Sequence, residues 1–116
     1  MTPRATRIAK PTVTITKGTS FLTLRAALVA DAAFANYGGS FYGTPVENVP
    51  AYALGTGHLP ASEVERFRTD APSYVVYSYA TPIGWRAAGE WYVSDCCYSA
   101  TTTAHQSKFR AAVQGL

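Results

Sequence analysis

"YVVYSYATPIGW", residues 74–85, decides how the fold is read. Side chains alternate along a strand, so Tyr74, Val76 and Ser78 share one side and Val75, Tyr77 and Tyr79 the other. Both sides are largely apolar or aromatic, whereas a strand with one wet face shows a polar side. The stretch therefore belongs inside a sheet, or between a sheet and helices. Pro82 has no N–H to give a ladder, so a bend or bulge is expected there before Ile83 and Trp85 resume the strand. "RAAGE" at 86–90 reads as a hairpin loop with Gly89 at positive φ, after which Trp91 and Val93 return antiparallel. This reading makes Trp85 and Trp91 near neighbours across the hairpin, and a third strand is expected over 97–100.

Upstream, "TVTIT" at 12–16 has the period of a short strand. Phe21, Leu24, Leu28, Ala32 and Ala35 fall at helical spacing, with Thr19 or Ser20 as N-cap and "NYGG" at 36–39 as the stop. Residues 40–59 are broken by Gly and Pro and read as a crossover with one short strand at most. "LPASEVERFRTD" at 59–70 is a helix with Pro60 in its first turn and Leu59, Val64 and Phe67 on a narrow apolar face. The last segment, "TTTAHQSKFRAAVQGL", is a helix capped by Thr101, Thr102 or Thr103, with His105, Phe109, Ala112, Val113 and Leu116 as its stripe. The expected fold is α+β: a small antiparallel sheet of about three to four strands, covered on one side by two to three helices.

The totals agree with one domain. Apolar residues make up 47% of the 116-residue chain and charged residues only 15%, too hydrophobic for a disordered protein. Arg4, Arg7, Lys10, Lys17 and Arg25 precede any acid; the other five cations face seven acids, so the remainder carries −2 against +3 for the whole. Residues 1–18 read as a basic arm, partly extended or disordered, and 19–116 as the domain. No apolar run is long enough to span a bilayer and no signal-peptide block opens the chain, so a cytoplasmic protein without a membrane partner is expected. Cys96 and Cys97 are adjacent, too close for an unstrained disulfide and without zinc-site spacing; they read as reduced, small fillers. No cofactor motif and no metal site is expected; convergence of His58, His105 and two acids is not demanded by any spacing.

The ordered elements "YVVYSYATPIGW", Trp91, Asp95, Tyr98–Ser99, Thr101–Thr102 and His105–Gln106, preceded by "GHLP" at 57–60, carry a resemblance. Together they resemble a family of small uncharacterised proteins of actinobacteria and their bacteriophages, over about residues 36–106. "SDCCYS" at 94–99 departs from that pattern. The resemblance implies a phage or actinobacterial setting, with a host cytoplasm, and no mechanism.

The candidate site groups Tyr79, Trp85, Asp95, Tyr98, Thr102 and His105 at the end of the sheet where the "TPIGW" bend, the hairpin and the last helix meet. Helix-start amides beside Tyr and Ser hydroxyls suit an anion, with His105 as donor or base and Asp95 orienting it. The bland alternative is a buried His105 bonded to Tyr98 or to a carbonyl. The function favoured is a non-enzymatic protein-interaction module that binds a host protein. One alternative is nucleic-acid binding through Arg4, Arg7, Lys10 and Lys17, with bases stacked on Tyr77 and Tyr79. Another is a small hydrolase or nuclease on His105, built from Ser99, His105 and Asp95 without a "GxSxG" elbow.

Overall fold

The computed structural model describes residues 12–16, 21–46, 54–94 and 99–116. Its strands are β1 (Val13–Ile15), β2 (Phe34–Asn36), β3 (Phe41–Pro45), β4 (Tyr74–Ser78), β5 (Thr81–Ala87) and β6 (Glu90–Val93). The helices are α1 (Phe21–Val29), α2 (Ala61–Asp70) and α3 (Ala100–Val113). The strands form one six-stranded sheet in sequential order, β1 to β6. The class remains α+β, but the sheet is neither a three- to four-stranded one nor purely antiparallel. β1 pairs with β2 in parallel, Val13 beside Phe34 and Ile15 beside Asn36, and α1 makes the crossover that a parallel pair requires.

The first helix is shorter than its spacing suggests. It ends at Val29, and Asp31 takes a left-handed φ of 60°. Phe34–Asn36 then pair with both β1 and β3, so ladder bonds take the place of two further helical turns. The N-caps expected at Thr19 and Ser20 lie outside the described residues.

β4 lies in the middle, buried at every position, with β3 and β5 antiparallel on either side. Its alternation feeds two separate cores. Tyr74 and Val76 join Ile15, Leu24, Leu28, Phe34 and Phe109 under α1 and α3. Val75 and Tyr77 join Phe67 and Trp85 under α2. The helices thus cover both faces rather than one. Two apolar faces on one strand need two covers, since exposing either leaves large apolar area in water.

The bulge expected at Pro82 falls beside it: Val76 pairs with Gly84 and Tyr77 with Pro82, leaving Ile83 as the extra residue. Ile83 therefore joins the α1/α3 core, while Trp85 points to the α2 core. A Cβ on Gly84 would run into the Phe109 ring, so the bare backbone is what lets α3 sit this close. The β5–β6 loop is the pair Ala88–Gly89, both at positive φ (51° and 80°), the signature of a type I′ turn. Trp85 and Trp91 are not neighbours. Trp85 pairs with Tyr92 on the α2 side, whereas Trp91 packs edge-on against Tyr74 and Phe109 on the other.

Of the third strand expected over 97–100, residues 97 and 98 lie outside the described residues and Ala100 opens α3. The cap of α3 is Ser99 rather than one of the three threonines that follow. Thr102, Gln106, Phe109, Ala112 and Val113 form the buried stripe of α3; His105 is half-buried and Leu116 is exposed.

Candidate functional site

Two tight turns lie side by side at one end of the sheet. Tyr37–Ser40 joins β2 to β3, and Tyr79–Ala80 joins β4 to β5; the Tyr79 N–H donates to the Ser40 carbonyl at 2.6 Å. Asn36 pins the first turn, its Oδ1 accepting from the Phe41 N–H and its Nδ2 donating to Ser40 Oγ. The second is buttressed by the His58 N–H, which donates to Thr81 Oγ1 at 2.9 Å. Ser78 pairs with Thr81, so Tyr79 and Ala80 alone make the loop, and Tyr79 holds a φ of 55°. Glycine adopts that conformation freely; a bulky residue there is strained. The ring is not held in the core, being 56% exposed, and Tyr37, in the adjoining turn, is 84% exposed.

The start of α3 meets this end from the α1/α3 face. Ser99 Oγ accepts from the Thr102 N–H and donates to Thr102 Oγ1, both at 3.2 Å. Thr102 Oγ1 lies 3.0 Å from Ser78 Oγ, which lies 2.7 Å from His105 Nδ1. Ser78 and Thr102 are buried. Either hydroxyl of the Ser78–Thr102 pair can be the donor, and Ser78 Oγ can donate to Nδ1 of the imidazole tautomer that carries its proton on Nε2. Its ring lies flat on Phe41, centroids 4.7 Å apart and planes within 6°, with Tyr79 at 6.3 Å. Burial first, and the Lys108 charge second, lower the His105 pKa below the usual histidine range. The neutral form is favoured at pH 7.

Beside His105 runs an open groove of about 640 Å³ between α3 and the ends of β1, β2 and β3. Ile15, Phe41 and Ala104 supply apolar lining; Thr101, His105 and Lys108 supply polar groups. Lys108 Nζ donates to the Thr16 carbonyl at 3.1 Å, which holds the ammonium at the rim. Among the described residues, no carboxylate stands behind His105 to make it a strong base.

Of the residues singled out in the sequence, Tyr79, Thr102 and His105 come together here. Trp85 does not: it is fully buried on the opposite face, edge-on to Phe67 at 4.9 Å, with Nε1 donating to Asp70 Oδ2 at 2.9 Å. Asp95, Tyr98, Cys96 and Cys97 lie outside the described residues, as do Arg4, Arg7, Lys10 and Lys17. The hydroxyl on His105 belongs to Ser78, and Ser99, the serine of the triad reading, caps α3 instead. Sequence reasoning missed Ser78, Phe41 and Tyr37. Ser78 carried a signal, as the single polar residue on the Tyr74–Val76 side of an otherwise apolar strand. Phe41 and Tyr37 carried none, because Phe41 sat in the 40–59 segment read as a crossover and Tyr37 in the stretch read as the stop of the first helix. Among the described residues, no three His, Cys, Asp or Glu side chains are placed to hold a metal ion. No described helix is long and apolar enough to cross a membrane.

A family model described as "Family of unknown function (DUF8033)" matches residues 13–114. The chain belongs to DUF8033. The DUF8033 match opens on the first residue of β1 and closes on the C-cap of α3, so it takes in all six strands and all three helices. No curated protein and no solved structure matches the chain.

Proposed function

We propose that this DUF8033 chain is a non-enzymatic protein-interaction module whose contact surface is the turn end of the sheet, with Tyr37 and Tyr79 as its anchors. The observation that carries the reading is the conformation of Tyr79: positive φ, in a two-residue turn, with its ring in solvent. Such strain costs about 1–3 kcal/mol and glycine would remove it, so an exposed ring placed there fits a role in contact. Tyr37 is followed by Gly38, Gly39 and Ser40, the Tyr–Gly–Ser mixture of binding loops, where a rigid aromatic ring offers contact area at little entropic cost. Ser78 Oγ, the hydroxyl that meets His105, is sealed from solvent, which favours binding over hydrolysis. The host-cell setting implied by the sequence resemblance makes the partner a host cytoplasmic protein.

Tagged protein incubated with host-cell lysate tests this. Tyr79→Gly is expected to keep or raise the melting temperature, because it relieves the turn, and to lose the captured partner. Tyr37→Ser is expected to lose it also. Capture undiminished in both folded variants would overturn the reading.

A further inference from the structure

The groove beside α3 is a different feature from the tyrosine surface, since neither Tyr37 nor Tyr79 lines it. Its volume of about 640 Å³ is that of a small-molecule site. Apolar area dominates its wall through Ile15, Phe41 and Ala104, so a ligand must bring an apolar body.

Its polar side is one-sided in a way that selects the ligand further. Among the described lining residues there is no acid. The Thr16 and Thr101 hydroxyls can donate or accept, while the Thr16 carbonyl receives Lys108 and Asn36 Oδ1 receives the Phe41 N–H. Lys108 is the one charged side chain among the described lining residues. The Lys108 ammonium has further protons beyond the one given to Thr16. The Ser78 hydroxyl, 2.7 Å from His105 Nδ1, can donate to it, and the tautomer that accepts this bond carries Nε2–H as a donor. Phe41 stacked on the imidazole fixes the plane in which that N–H points. A neutral His105 beside Lys108 places one positive charge at the rim, matched by one negative charge on a ligand.

We infer that this groove binds a small monocarboxylate with an apolar body, its carboxylate between Lys108 Nζ and His105 Nε2 and its hydrocarbon part against Ile15, Phe41 and Ala104. The aromatic and aliphatic members of the class share this chemistry.

Titration of the ¹⁵N-labelled full chain with sodium benzoate and sodium hexanoate, each beside its neutral amide, separates them and tests the site. Expected are saturable shifts at Thr101, Ala104, His105 and Ile15 with at least one acid, with dissociation constants in the millimolar range usual for fragments. The matching amide is expected to bind about tenfold more weakly, the loss of one charge-assisted hydrogen bond. Lys108→Met should remove that preference for acid over amide, and Lys108→Arg should keep it. Equal binding of acid and amide to the native chain, or no saturable shift at the groove, overturns the inference whatever the variants do. Either result leaves the tyrosine surface standing, because that surface is read from protein capture alone.

Discussion

At the residue scale, His105 illustrates how neighbours rather than residue type set chemistry. Its Nδ1 lies 2.7 Å from the hydroxyl of a buried serine and its ring is stacked on Phe41; burial first, and the Lys108 charge second, disfavour the charged form. The sign of the resulting pH dependence follows directly. The folded pKa lies below the unfolded value of about 6.5, so the unfolded chain takes up more protons between the two. The stabilisation is complete above about pH 6.5 and is lost as pH falls from there toward the folded pKa. Urea titrations at descending pH should show the midpoint fall below about pH 6.5, and His105→Asn should flatten that portion of the curve. A midpoint equally steep in pH for native and variant chains would show that His105 is not its source. The type and place of this histidine were legible in the sequence. Its partner was not, because Ser78 lies 27 positions away and meets it only when α3 docks on β4.

At the element scale, β5 shows how a single missing side chain positions a helix. Gly84 faces α3, and any Cβ there would overlap the Phe109 ring. The bulge at Ile83 is what turns Gly84 to that side: it shifts the alternation by one, sending Ile83 to the α1/α3 core and Trp85 to the α2 core. Gly84→Ala should therefore destabilise by about 1–3 kcal/mol through overpacking, despite the better intrinsic fit of alanine in ordered backbone. Guanidinium denaturation checks this, and Phe109→Leu in the same chain should recover part of the loss by making room. A Gly84→Ala variant as stable as the native chain would refute the close approach. α1 carries the opposite lesson. Its spacing continued to Ala35, yet the chain left the helix at Asp31, because Phe34 gains a β ladder on both sides and an edge-on contact with Phe41 at 5.1 Å.

At the scale of the whole molecule, one strand joins two cores. Tyr74 and Val76 belong to the core under α1 and α3, Val75 and Tyr77 to the one under α2, so neither can dissolve without disturbing the backbone of the other. Phe67→Ala, on α2, should cost about 3–5 kcal/mol. In a Trp85→Phe background, Trp91 fluorescence, which reports the far side, should lose its transition at the same denaturant concentration as far-UV circular dichroism. A Trp91 transition that stays at its native midpoint would mean that the cores unfold separately. Burial acts on the same strand in alkali. Desolvation, with the neighbouring Tyr42 second, raises the Tyr77 pKa to about 12, so the unfolded chain releases its proton first and stability declines as pH rises above about 10. The period-two pattern of residues 74–79, the tight turn at Gly89 and the terminal helix were determined by local sequence, because alternation, positive φ and helical spacing are properties of neighbouring residues. The number of strands, the parallel pairing of β1 with β2, the second helical cover over Trp85, and the gathering of Tyr79, Thr102 and His105 were decided only by tertiary structure. Those depend on which distant surfaces bury the most apolar area together, a quantity that no single stretch of chain contains.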